Sequence, residues 1–160
     1  MVLLTRLWAL QFRSNEKFNS MKRNLSLVIC LLLAACNSMH SERGVELAMK
    51  QYDHLLKKMD ADSIALLYTP DGDLGEMAHG RDSIKQFLSS FKDIQVLLQQ
   101  SVTSFVKINH DTALQEGIYH QTVLINKKDT MSVSGQYTAT WYWIPPGEWH
   151  IKKMMTKPSE

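Results

Sequence analysis

The chain has 160 residues, 44% of them apolar, with 18 Lys and Arg against 16 Asp and Glu. That is one domain's length; the apolar share excludes a disordered chain, and seven Gly and four Pro exclude collagen-like and low-complexity classes. Five basic residues and one acid fall within 1–35, which leaves 13 basic and 15 acidic residues and a charge of −2 beyond, not the footprint of a nucleic-acid binder.

Residues 1–20 show only a weak apolar patch (Leu3, Leu4, Leu7, Trp8, Leu10) and read as an upstream extension of a chain that begins at Met21. Lys22 and Arg23 form a positive n-region, and residues 25–35 are apolar except for Ser26. Eleven residues at about 1.5 Å each cover roughly 16 Å, about half a bilayer core. The run is therefore too short to span a membrane and suits the h-region of a signal peptide over 21–35. It ends Leu33-Ala34-Ala35-Cys36, which resembles the lipobox of bacterial lipoproteins. That resemblance implies cleavage before Cys36, lipidation of its sulfur, and a short polar tether over 36–42. The membrane is then a partner through the anchor, and the expected location is the bacterial cell envelope, facing the periplasm. Cys30 leaves with the signal and Cys36 is acylated, so the domain is expected to hold no disulfide, thiolate metal site or thiol nucleophile.

The domain is expected over 43–160. Ser41 is placed to cap a helix whose Val45, Leu47, Ala48, Met49, Tyr52, Leu55, Leu56 and Met59 form one apolar stripe. Lys50, Asp53, Lys57 and Lys58 lie off that stripe. Asp60 caps a short second helix through Ile64, Leu66 and Leu67. Pro70-Asp71-Gly72 reads as a turn, followed by a short strand over 74–77. Gly80 precedes a third helix over 81–91, with Ile84, Phe87, Leu88 and Phe91 on one side.

The period then changes. Residues 94–108, 112–125, 131–144 and 149–156 are long, β-rich and partly alternating. Their links, at 109–111, 126–129 and 145–148, are short and rich in Asn, Asp, Lys, Pro and Gly, which implies hairpins. Helices first and long strands after give an α+β domain, with helices on one face of an antiparallel sheet.

Period two puts Glu116, Ile118, His120 and Thr122 on one strand face, and His150, Lys152, Met154 and Thr156 on another. Glu116 and His120 stand about 13 Å apart along the strand, so acid–base work by either needs a partner from a neighbouring strand. Tyr137, Trp141 and Trp143 point one way and Tyr142 the other. This aromatic hairpin is sheet packing, the lining of a cavity for a flat apolar ligand, or a dimer face. No His-x-x-x-His, cysteine cluster, Gly-rich phosphate loop or nucleophile elbow occurs, so no metal and no cofactor is expected.

Tyr52-Asp53-His54-Leu55-Leu56, the run from Asp60 through Tyr68-Thr69-Pro70-Asp71-Gly72, Gly80 with Ile84 and Phe87, then Gly135-Gln136-Tyr137, Trp141, Gly147-Glu148-Trp149 and Ile151 come in a familiar order. Over about 43–156 the chain resembles the SnoaL-like/DUF4440 branch of the NTF2-like superfamily. The resemblance implies a strongly bent antiparallel sheet packed on N-terminal helices, forming a cone around an apolar cavity. That cavity is the active site of ketosteroid isomerase and of polyketide cyclases and dehydratases; in many relatives it only binds, or mediates dimers. The implied register sets Tyr52 at the isomerase's helix-1 tyrosine and Glu76 at its carboxylate base. Ala139 falls where the isomerase has a protonated Asp, so half of the oxyanion hole is missing. The register also turns the His150 and Lys152 face toward the cavity.

The implied ligand-binding set is Tyr52, Tyr137, Trp141, His150 and Lys152, with Glu76 and His120 as candidate catalytic groups. Two functions stay open. One is an envelope lipoprotein whose domain binds a small apolar molecule or a protein partner, including a second copy through the sheet, without catalysis. The other is a cofactor-independent lyase, isomerase or hydrolase using a pocket carboxylate or His. Whether titratable groups converge in one closed pocket separates them.

Overall fold

The computed structural model describes residues 40–159, so the expected upstream extension, the expected signal peptide and Cys36 lie outside the described residues. Three helices lie in the first half of the described chain, with two short strands between the second and the third. Ser41 Oγ accepts from the Gly44 N–H at 3.2 Å and opens α1 (Glu42–Lys58), which Met59 closes in the left-handed region at φ 52°. The helix thus begins one residue inside the expected tether. Just before it, the His40 ring stacks on Trp143 with centroids 4.7 Å apart. The α1 stripe buries Val45, Met49 and Tyr52, while Leu47 stays exposed at its margin. Asp60 caps α2 (Ala61–Leu66) by accepting from the Ser63 N–H at 3.1 Å. Gly80, at φ 78°, leads into α3 (Arg81–Ser89), which buries Ile84 and Leu88. Phe91 falls just past the helix end and packs edge-on to Phe87 at 5.0 Å.

The described strands are β1 (Tyr68–Leu74) and β2 (Ala78–His79), before α3, and β3 (Ile94–Asn109), β4 (Thr112–Ile125), β5 (Asp129–Ile144) and β6 (Glu148–Pro158), after it. They form one sheet in the order β2-β1-β6-β5-β4-β3. The four long strands are antiparallel neighbours, as their links imply. At the β4–β5 link, Asn126 and Lys127 both take positive φ, the conformation that matches strand twist in a tight hairpin. β1 pairs parallel with β6, so the sheet is mixed rather than wholly antiparallel.

Two expectations near β1 are corrected. Pro70-Asp71-Gly72 is not a turn; it lies inside β1, where the pairing to β6 is irregular between Tyr68 and Asp73. Gly72 serves there by lacking a side chain, because a Cβ would come within 3.0 Å of the Ile151 carbonyl oxygen. The turn falls later, at residues 75–77, and uses Gly75 at φ 57°. The strand expected at 74–77 is therefore mostly turn.

Bulges bend the sheet. One lies between Val96 and Leu98, a second between Thr103 and Phe105, and a third at the β5–β6 pair. At the third, Trp141 pairs with Ile151 and Thr140 with Lys153, which leaves Lys152 as the extra residue. One inserted residue exchanges the faces of everything after it. His150 pairs with Tyr142 on the outer face, whereas Met154 pairs with the buried Ala139 on the inner one. The single face expected for His150, Lys152, Met154 and Thr156 is thus split in two. The core between helices and inner face contains Val45, Ile64, Tyr68, Ile84, Trp141 and Ile151, all without solvent exposure. Among the described residues no helix is long and apolar enough to cross a membrane.

Candidate functional site

A cavity of about 260 Å³ lies between α1, α3, the β1–β2 turn and the inner face of the sheet. Met49, Tyr52 and Leu56 reach it from α1 because they share one helical face, and Phe87 and Leu88 reach it from α3. The strands add Gln99, Ser101, Tyr119, Gln121, Tyr137 and Thr156. These strand positions alternate by two, and all are inward-facing by register: Gln99 opposite Gln121, Ser101 opposite Tyr119, Tyr137 opposite Thr156.

Three polar arrangements form and back the wall. In the first, the Tyr68 hydroxyl donates to the Tyr52 hydroxyl at 3.4 Å. Burial pushes Tyr52 up to about 12, and Tyr68 rises well above its ordinary value for the same reason. Both are neutral phenols at any physiological pH. In the second, Asp53 is buried, contrary to its expected place off the stripe. It accepts from the Ser101 backbone N–H at 2.7 Å, the Ser101 hydroxyl at 2.7 Å and Gln99 Nε2 at 3.0 Å. Gln121 Nε2 in turn donates to Gln99 Oε1 at 2.9 Å. In the third, Trp141 Nε1–H donates to Gln115 Oε1 at 2.9 Å, and Gln115 Nε2 donates to Thr103 Oγ1 at 2.8 Å. Thr103 Oγ1 meets the Tyr137 hydroxyl at 3.3 Å, and burial raises the Tyr137 pKa.

The structure brings only part of the expected set together. Tyr52 and Tyr137 line the cavity. Trp141 does not line it; its ring is wholly buried in the core, with its N–H taken by Gln115. Glu76 stands exposed on the 75–77 turn and does not line the cavity, because the turn falls later than the register assumed. His120 lies on the exposed outer face, where its Nδ1 is 2.7 Å from Ser134 Oγ. Lys152 sits at the bulge and bonds Asp71 through Oδ2 at 2.7 Å and the carbonyl oxygen at 2.8 Å. His150 borders a separate groove of about 390 Å³ between α1, α2 and the start of β6, and its buried Nδ1 has no hydrogen-bond partner among the described residues. Cys36 lies outside the described residues.

Asp53, Gln99, Ser101 and Gln121 were missing from the sequence-based set. A signal existed: Gln99, Ser101 and Thr103 alternate on β3, and Tyr119 and Gln121 on β4. It was masked because Leu98, Val102, Leu114 and Ile118 make the opposite face look like the buried one, and that face is exposed. Among the described residues no group of three or more His, Cys, Asp or Glu gathers to hold a metal. Among the described residues the lining carries no charged side chain. It can enclose an apolar body and offer hydroxyl and amide groups to a few polar atoms.

No family model matches the sequence, and no curated protein matches it. Solved structures do. A ketosteroid isomerase-like protein from Erwinia carotovora atroseptica shares 19% identity, with a TM-score of 0.62 over 72% of this chain and 93% of that one. ActVI-ORFA from Streptomyces coelicolor shares 16%, with a TM-score of 0.61 over 72% and 94%. A point variant of Rv3472 from Mycobacterium tuberculosis, a protein of unknown function, shares 14%, with a TM-score of 0.65 over 72% and 74%. At these identities the likeness establishes the fold. The chain has the α+β NTF2-like cone, with N-terminal helices packed on a bent six-stranded sheet.

Proposed function

We propose that this domain binds a small, largely apolar molecule in the cone cavity, without catalysis, and is held at the cell envelope through a lipid on Cys36. The observation that carries the binding reading is the lining itself: aliphatic, aromatic and neutral polar side chains around a pocket with no carboxylate, imidazole or ammonium group. General acid–base catalysis is most effective with a group that titrates near the working pH. The two tyrosines nearest the helices hold their protons far above it, and both candidate catalytic residues lie elsewhere. The anchor is supported by the lipobox-like Leu33-Ala34-Ala35-Cys36 and the charged and apolar segments before it.

A second copy is the proposed partner on the outer face of the sheet. Val102 and Ile118 sit directly opposite each other there and are 44% and 42% exposed, with Phe105 and Met155 each at 47%.

Native mass spectrometry of the protein taken from its own host tests the binding reading. The expected result is a co-purifying small molecule that Val133→Trp, which fills the cavity from its β5 wall, displaces without unfolding the chain. A protein that arrives empty, and turns over a substrate with unchanged rate in Val133→Trp, overturns it.

A further inference from the structure

Two side-chain amides between Asp53 and the cavity could each point either way, and Asp53 decides which. A carboxylate only accepts hydrogen bonds. Oδ2 takes the Ser101 backbone N–H, and Oδ1 takes the Ser101 hydroxyl and Gln99 Nε2. Gln99 must therefore turn its NH₂ toward Asp53, which leaves its Oε1 facing β4. Gln121, opposite Gln99 in the β3–β4 register, has to answer with its own NH₂, and does so at 2.9 Å. The relay ends at Gln121 Oε1. That oxygen has no hydrogen-bond partner among the described residues, and Gln121 lines the cavity.

We propose that Asp53 is a positioning residue that orients the Gln99–Gln121 relay, so that the cavity presents a carbonyl acceptor at Gln121 and selects a neutral ligand carrying a hydroxyl or N–H donor. This rests on the binding reading above and specifies the ligand chemistry of the same cavity. The preference for a neutral ligand has a separate support. The Asp53 charge acts on both cavity phenols, Tyr52 and Tyr137, and opposes a second negative charge there.

Asp53→Asn reverses the relay rather than merely weakening it. The Ser101 backbone N–H still needs an acceptor, so the new amide oxygen takes the Oδ2 place and the new NH₂ falls where Oδ1 was. Gln99 must then turn over to offer Oε1 to that NH₂, and Gln121 turns in response. The Ser101 hydroxyl can accept as readily as it donated. The cavity now ends in an N–H donor where it had an acceptor.

The test uses the purified full chain and two probes that differ only in the donor, 4-hydroxyacetophenone and 4-methoxyacetophenone, at a pH where both are neutral. Side-chain amide exchange by NMR reads the relay without any ligand. In the wild type the Gln121 NH₂ is expected to be protected and the hydroxyl probe to bind about tenfold tighter than the methoxy probe. In Asp53→Asn the Gln121 NH₂ is expected to exchange faster and the preference to vanish or invert. Gln121→Leu alone would bare the Gln99 Oε1 that it covers, so the double variant Gln99→Leu/Gln121→Leu, which removes both relay carbonyls from the cavity wall, is expected to bring the two affinities within about twofold. If Asp53→Asn does not fold, the double variant decides alone: a retained preference overturns the proposal. Amides that do not turn in a folded Asp53→Asn overturn the role of Asp53, even with both probes bound. Amides that turn while the preference stays put overturn ligand selection by the relay. Failure of the wild type to bind either probe overturns ligand selection and counts against the binding reading, while the amide exchange still judges the relay.

Discussion

The Tyr68 hydroxyl donates to the Tyr52 hydroxyl across 3.4 Å, with both rings buried between α1 and the sheet. Burial favours the neutral phenol, so folded Tyr52 keeps its proton to about pH 12 where the unfolded chain releases it near 10.0. The resulting stabilisation is fully present below pH 10 and lost as the pH rises from 10 toward 12. For Tyr52 it amounts to roughly 3 kcal/mol. Thermal melts at pH 8, 10, 11 and 12 are expected to fall steeply in that window. Tyr52→Phe is expected to lower the melt at pH 8, by stranding the Tyr68 donor, and to flatten the alkaline fall. An unchanged alkaline slope in Tyr52→Phe would separate that fall from this residue.

Trp141 supports the cavity from behind without touching its contents. Trp141→Phe keeps a large ring but leaves Gln115 Oε1 a buried acceptor with no donor. The expected cost is about 1–3 kcal/mol of stability by denaturant unfolding, with affinity for a cavity ligand unchanged within about twofold. A loss of affinity without a loss of stability would return this ring to the cavity wall.

Gly117 faces Tyr137 across the β4–β5 pair, and a Cβ there would overlap the Val102 carbonyl oxygen and come within 2.7 Å of the Tyr137 ring. Gly117→Ala is expected to destabilise the domain by about 1–3 kcal/mol and, by displacing Tyr137, to weaken ligand binding as well. Equilibrium unfolding and a binding titration on the same sample check both. Wild-type stability in this variant would mean that the strands part there at little cost.

Cys36→Ala is expected to abolish incorporation of labelled palmitate and to leave an unprocessed precursor. A chain begun at Met21 is expected to be exported and processed like the longer one. A mature wild-type N-terminus other than Cys36 would remove the anchor from the proposal.

Ile118→Lys places a charge in the exposed apolar patch on the outer face. Light scattering after size-exclusion chromatography is expected to show a dimer in the wild type and a monomer in the variant, with unchanged melting. A monomeric wild type at micromolar concentration rules out the second copy as partner.

The elements were legible where local chemistry decides them. Ser41 and Asp60 cap their helices through their own side chains, and Asn126-Lys127 turns its hairpin with two left-handed residues. The cavity was legible only at Tyr52 and Tyr137, which sit in long regular elements. The rest depended on phase. One extra residue at Lys152 moved His150 to the outer face while leaving Met154 inside, and no composition signal marks a bulge of that kind. Asp53 was unreadable for a different reason. A carboxylate beside a helix stripe looks solvated until the strand that brings Gln99 and Ser101 against it is known.

The place of β6 in the strand order bears on how the chain is made. β2 and β1 form one piece of sheet and β5, β4 and β3 another, and β6, lying between them, joins the two. Its eleven residues are made after those of the other five strands and the three helices. Until they arrive, a nascent chain holds two unjoined pieces, and the Leu67 carbonyl that will accept from the Ile151 N–H has no strand beside it. The sheet therefore closes only once β6 has been made, and a truncation within that strand removes the seam of the whole sheet instead of fraying an end.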